Sequence, residues 1–144
     1  MHLNRTVGSL FAAIRILSQN MGYDKGTLVG GKINMVEGFW IVQFEGVQGN
    51  GGGVVFFIKG RVFGGDSGFV YTGTYQTDDK SISARVQVRN FLPEVLSVFG
   101  IPGDYELKVN GSVAGNVIQG KASLANQEAM GIVVKLTKIG NLPL

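Results

Sequence analysis

Few residues in this chain have the types and spacing that chemistry requires. A Gly-Asp-Ser-Gly run at residues 65–68 imitates the nucleophile motif of serine proteases. A seryl nucleophile needs a fixed imidazole as its base, and the sole histidine, His2, lies beside a chain end. The chain has no cysteine, which excludes thiolate nucleophiles and sulfur-ligated zinc. The sequence therefore predicts a protein that is not an enzyme and that holds no metal and no cofactor.

Without a base, the same run is better interpreted as a structural turn built from Gly64, Gly65 and Asp66. Asp66 or Ser67 would cap backbone amides there, and the glycines would adopt positive φ. A second glycine-rich run, residues 49–53, lacks the Lys-Ser/Thr of a nucleotide-binding loop. We expect it to form a flexible hairpin loop.

The only acidic doublet, Asp78-Asp79, lies between two predicted strands. Adjacent carboxylates on an exposed turn, with no further acids to complete a calcium loop, are most simply a solvated turn. The alternative is a partner-binding tip, because a small acidic patch on a rigid hairpin can orient a basic partner.

The basic residues are concentrated at the start of the chain. Of 144 residues, the first 34 carry four basic residues and one acid, whereas the remainder carries nine of each. The neutral remainder offers no phosphate-binding stripe, so direct nucleic-acid binding is not expected. Helical spacing predicts a short amphipathic helix over residues 9–22. The favoured interpretation is a docking extension or an over-long translation start. The alternative is an organelle transit peptide or a helix that lies on a membrane surface. The predicted division is an extension over residues 1–34 and a domain over residues 35–144.

From residue 35 onward the hydrophobic pattern alternates, as in half-buried strands. Strands are predicted over residues 39–45, 54–59, 61–64, 68–76, 82–89, 105–112, 117–124 and 131–138. Eight short strands separated by turns, in a chain with 23 glycines, favour an all-β fold, a small up-and-down barrel or a sandwich. The pattern lapses over residues 91–103, where residues 95–99 could form one helical turn. No apolar run is long enough for a membrane-spanning helix, and we expect a soluble, cytoplasmic protein.

A barrel of this size can enclose a small apolar cavity. The predicted strands place several aromatic residues where they could line it, namely Trp40, Phe44, Phe56, Tyr71 and Tyr75. Most such residues are core, but tyrosine hydroxyls facing a cavity would supply the few polar groups that a small-molecule site needs. If Phe57 and similar residues point outward instead, a second subunit would be needed to cover them.

Four segments together resemble the GrlR-type negative regulators of type III secretion. They are Glu-Gly-Phe-Trp at residues 37–40, Gly-Gly-Asp-Ser-Gly-Phe-Val-Tyr-Thr-Gly-Thr-Tyr at residues 64–75, Ser-Val-Phe-Gly at residues 97–100 and Gly-Asp-Tyr-Glu-Leu at residues 103–107. The resemblance extends in order and spacing over residues 38–138. It implies a small, dimeric, lipocalin-like β-barrel with an apolar interior.

The same resemblance implies a non-catalytic regulator that binds a helix-turn-helix transcriptional activator and keeps it from DNA. The family's acidic binding loop falls on Thr77, Asp78, Asp79 and Lys80. Two acids stand here where the family's regulator has an uninterrupted acidic run, so the attraction to a basic partner would be weaker or differently directed. The alternative function is a carrier or sensor of small apolar molecules or lipids.

Overall fold

The computed structural model describes residues 27–29, 32–34, 36–46 and 49–141. The helix expected at residues 9–22 lies outside the described residues. Within them the regular structure is entirely β, as the alternating pattern predicts, and there are ten strands. Their bounds are β1 Thr27–Val29, β2 Lys32–Asn34, β3 Gly38–Gly46, β4 Gly49–Ile58, β5 Arg61–Gly65, β6 Phe69–Thr77, β7 Ser81–Asn90, β8 Tyr105–Ala114, β9 Val117–Leu124 and β10 Gln127–Gly140.

Strands β3 to β10 form a closed, all-antiparallel barrel in which each strand pairs with its neighbours in sequence, and β10 returns to pair with β3. Val134 is opposite Phe44 at this last junction. The prediction of an up-and-down barrel with eight strands is confirmed. Closure leaves no barrel strand with an unpaired edge, and the architecture is consistent with a lipocalin-like fold.

Two local expectations were wrong. Residues 49–53 are not a loop but the first half of β4, where Gly51 pairs with Phe44 and Gly53 with Val42. Residues 95–97 have no regular structure and residues 98–99 lie in a turn, so the helical turn expected over residues 95–99 does not form. Ahead of the barrel, β1 and β2 form a small two-stranded sheet, a segment for which no element was predicted.

The hairpins of an up-and-down barrel alternate between its two ends. The β4–β5, β6–β7 and β8–β9 turns lie at one end, here called the turn end. The β3–β4, β5–β6 and β9–β10 turns lie at the other, here called the cavity end, together with the long connection of residues 91–104. Strand order alone therefore decides at which end of the barrel residues that are distant in sequence come together.

The turn end is filled by packed aromatic side chains. Trp40 is fully buried, and its indole Nε1 donates a 2.8 Å hydrogen bond to the Val36 carbonyl oxygen. The ring of Phe57 lies edge-on to both Trp40 and Tyr75, with centroid distances of 6.0 and 5.0 Å. Such edge-to-face pairs are favourable beyond the area that they bury, so these three rings form a packed aromatic cluster at this end.

Alternation along β4 separates Phe57, which is buried inside the barrel, from Phe56, which lies on the outer face. Phe57 therefore does not meet the condition under which a second subunit would be needed to cover it. On the outer face Phe56 is paired with Phe63 of β5 and stacks on Phe39 at 4.4 Å between ring centroids. Phe63 is 43% exposed and forms part of an apolar patch with Val54 and Val70.

Candidate functional site

An apolar cavity of about 310 Å³ lies inside the barrel and reaches the cavity end. All eight barrel strands contribute inward-facing side chains to it. The deeper wall is made by aliphatic residues, including Val62, Val86, Ile118, Ala122 and Val134. The volume is at the lower limit of small-molecule pockets, and such pockets are mostly apolar with a few placed polar groups.

The cavity arises because small residues stand where larger ones would fill the interior. Ala84 and Ala122 contribute only methyl groups to the lining. Because Gly51 has no side chain, the Phe44 ring can lie over the Gly51 backbone. A Cβ at Gly51 would collide with that ring. Phe44 thus lines the cavity wall rather than occupying its centre.

The connection of residues 91–104 crosses the opening of the barrel. It leaves from β7, and its residue Val98 lies over Gly46 at the end of β3, on the opposite side of the barrel. A Cβ at Gly46 would be only 2.6 Å from the Val98 carbonyl oxygen. The shape of the connection is stabilised from within by the buried Ser97 hydroxyl, which accepts a 3.2 Å hydrogen bond from the Phe99 amide. Leu96, which lines the cavity, is 53% exposed, so solvent reaches this end.

Polar side chains gather where the cavity meets solvent. Asp66, in the β5–β6 turn, accepts hydrogen bonds at Oδ1 from the Gly68 and Phe69 amides, each 2.9 Å long. Its Oδ2 accepts a hydrogen bond from the Tyr71 hydroxyl. The expectation that Asp66 caps backbone amides is confirmed, but Gly65 and Gly68 do not adopt positive φ.

Two tyrosine hydroxyls border the same region. Burial, helped by the hydrogen bond to Asp66, raises the pKa of Tyr71 far above its ordinary value. Burial, together with the negative charge of Asp66, raises the pKa of Tyr105 to about 12. Both hydroxyls are therefore neutral at physiological pH, and Asp66 supplies the charge at the entrance.

The five aromatic residues proposed from sequence are divided among three environments. Phe44 and Tyr71 line the cavity. Trp40 and Tyr75 are buried in the packed core of the turn end. Phe56 lies on the outer face, because Phe57 takes the inward position beside it. Sequence reasoning identified Asp66 only as a turn residue.

Four further aromatic residues that were not proposed from sequence as cavity residues also line it, namely Phe57, Phe69, Phe99 and Tyr105. Phe99 and Tyr105 pack edge-to-face, with ring centroids 5.5 Å apart. Tyr105 shares the alternation of Leu107 and Val109, so the pattern of β8 could have indicated its inward position. Phe99 belongs to an irregular segment without periodicity and offered no such signal.

The acidic doublet lies at the turn end, away from the cavity entrance. Asp78 is engaged in its own turn: its Oδ1 accepts 2.8 Å hydrogen bonds from the Lys80 and Ser81 amides, and its Oδ2 accepts one from the Ser81 hydroxyl. Thr77 contributes a further hydroxyl hydrogen bond to the Ser81 carbonyl oxygen. The neighbouring Asp79 and Lys80 side chains are exposed on the tip that these bonds define.

No family model and no curated protein sequence matches the chain. Within the described ranges, no group of three or more His, Cys, Asp or Glu side chains is arranged to hold a metal ion. No helix among those residues is long and apolar enough to cross a membrane.

Proposed function

We propose that this protein is a non-catalytic binding protein for small apolar molecules, held inside its barrel. The observation that carries the proposal is the cavity of about 310 Å³. A packed interior normally contains few voids larger than a water molecule, and an unfilled apolar volume of this size forgoes the dispersion contacts that a ligand would restore. By contrast, Trp40, Phe57 and Tyr75 pack ring against ring at the turn end, so part of the same interior is filled by side chains.

The test is a fluorescence titration of the full chain with N-phenylnaphthylamine, a neutral apolar dye. We expect saturable binding that a substitution inside the cavity weakens. Ala84 lines the cavity, so Ala84→Leu adds methyl groups to the space that the dye needs. Ala114 is exposed on β8, and Ala114→Leu is the matched control.

The expected loss for Ala84→Leu is about ten-fold in affinity, the equivalent of roughly 1.4 kcal/mol, with the control unchanged. Equal binding by both variants and the native chain would place the dye outside the barrel. Absence of any saturable binding would remove the proposed function.

A second candidate function is binding of a helix-turn-helix activator in the cytoplasm, as the GrlR-type resemblance implies. It is favoured by the fixed hairpin tip, where Asp78 shapes the turn and Asp79 is presented on its surface. The test is titration with a cognate activator: Asp79→Ala should weaken the complex, whereas an unchanged affinity would take the tip out of the mechanism. A homodimer, implied by the same resemblance, would be detected by analytical ultracentrifugation.

A further inference from the structure

We propose that the cavity selects apolar molecules that end in a hydrogen-bond donor, above all a protonated amine, and disfavours carboxylates. The inference deepens the proposed function and rests on it. It starts from the distribution of polarity in the lining, which is aliphatic and aromatic except near the entrance, where Asn50, Asp66, Ser67, Tyr71 and Tyr105 are found. A ligand would therefore bury its apolar part in the barrel and direct its polar end towards these groups.

Asp66 is held ready to accept one more hydrogen bond. An ionised carboxylate has about four acceptor positions. The Gly68 and Phe69 amides occupy Oδ1, and the Tyr71 hydroxyl occupies one position on Oδ2. These three donors fix the carboxylate in place and leave one position on Oδ2 for the head group of a ligand.

The neighbouring tyrosines do not change this preference. The Tyr71 hydroxyl gives its only proton to Asp66, so it has none to offer a ligand. Tyr71 and Tyr105 are both uncharged at physiological pH, since burial raises the pKa of each hydroxyl. Asp66 is thus the group that decides which charge is accepted.

The charges around the cavity end point the same way. Among the described lining residues there is no Lys, Arg or His, and the one charged side chain is Asp66. The described segments that connect strands at this end, residues 66–68, 91–104 and 125–126, contain Asp66, Glu94 and Asp104 and no basic residue. A carboxylate head group would meet negative charge with no counter-ion among the described lining residues, whereas an ammonium group would gain a charge-assisted hydrogen bond.

The experiment compares three competitors of equal chain length, decylamine, decanol and decanoate, as displacers of N-phenylnaphthylamine from the full chain at neutral pH. Decylamine and decanol can both donate to Asp66, but only the ammonium group is charged, and a hydrogen bond between two ionised groups is the stronger one. We therefore expect decylamine to bind about ten-fold more tightly than decanol, and decanoate to bind most weakly. In Asp66→Asn, which keeps the shape of the side chain but removes its charge, the preference for decylamine over decanol should disappear.

Tyr71→Phe provides a second measurement should Asp66→Asn not fold. It frees the remaining Oδ2 position, so the preference for decylamine should be kept or enlarged. Decanoate binding as tightly as decanol to the native chain would overturn the inference, as would an unchanged preference in a folded Asp66→Asn or a lost preference in Tyr71→Phe. If the dye binds but one of these three results is found, the inference fails and the proposed function stands. A chain that binds neither the dye nor any competitor would overturn the inference and the proposed function together.

Discussion

The two ends of the barrel are built from the same strands but differ in what occupies their interior. At the turn end, Trp40, Phe57 and Tyr75 pack edge-to-face, and of these three only Phe57 borders the cavity. At the cavity end, Phe69, Tyr105 and Phe99 also make edge-to-face contacts, at 6.1 and 5.5 Å, but they stand around an open space. Aromatic content alone therefore does not separate core from site; small residues in the lining, such as Gly51 beneath the Phe44 ring, contribute to the difference.

The ends also differ in how their polar groups are used. The Asp78 carboxylate at the turn end is engaged by neighbours within three residues and shapes its own hairpin. The Asp66 carboxylate caps amides in the same manner but also borders the cavity. A turn residue becomes a candidate binding residue through its position at the entrance, not through its local geometry.

The largest effect should come from opening the packed end. Trp40→Ala removes a fully buried side chain and its hydrogen bond to Val36, and we expect a loss of about 3–5 kcal/mol in the free energy of unfolding. Urea denaturation followed by circular dichroism measures this loss. Leu96→Ala, at the exposed entrance, should stay within about 0.5 kcal/mol; equal losses for both variants would contradict the contrast between the ends.

Alkaline pH should lower the free energy of unfolding through a tyrosine at the cavity end. Burial and the Asp66 charge raise the pKa of Tyr105 from 10.0 to about 12. Because the folded pKa lies above the unfolded one, the stabilisation is complete below the lower value and is lost as the pH rises through the higher one. The loss should reach at most about 2 kcal/mol, since the group is partly accessible to solvent.

Urea midpoints measured across this alkaline range in the native chain and in Tyr105→Phe provide the comparison. The variant should lose stability less steeply. A residual slope is expected because Tyr71 also has a raised pKa, but identical slopes would show that Tyr105 ionises as freely in the folded chain as in the unfolded one.

A smaller effect is expected where glycine makes room for the cavity wall. A methyl group at Gly51 would collide with the Phe44 ring, whereas at Gly52 it would meet only the Val42 carbonyl oxygen, at 3.2 Å. Gly51→Ala should therefore cost about 1 kcal/mol from overpacking and weaken dye binding, because the ring must move. Gly52→Ala is the matched control, and equal stabilities and dye affinities for the two variants would be inconsistent with this account.

The acidic hairpin should give the smallest differences. Asp78→Ala removes acceptors from the Lys80 and Ser81 amides and should cost about 1 kcal/mol. Asp79→Ala should change stability by less than about 0.5 kcal/mol. Thermal unfolding measures both, and neither variant should alter dye binding, since the hairpin lies at the opposite end from the cavity entrance and neither aspartate lines the cavity. Altered dye binding would mean that a change at the hairpin is transmitted to the cavity.

The barrel was predictable because alternation is a property of each strand by itself. In β7 the inward row Ile82, Ala84, Val86 and Val88 can be recognised from sequence. The half of β4 that begins at Gly49 could not be recognised from sequence, because glycines carry no polarity pattern. Its pairing with β3 depends on the partner strand. The site was harder to predict. Asp66 and Tyr71 are joined by the β5–β6 hairpin, but Phe99 reaches Tyr105 at the cavity only because the connection of residues 91–104 crosses the opening, an arrangement that no local pattern encodes.

The pairing of β3 with β10 has a consequence for how the protein is made. The ribosome delivers β3 long before β10, so β3 must wait for its second neighbour until the last strand of the barrel has emerged. Until then its outer edge is a template for pairing with other chains, and formation of such long-range pairs is slow. The cavity, which needs inward side chains from both strands, comes into existence only at this final step.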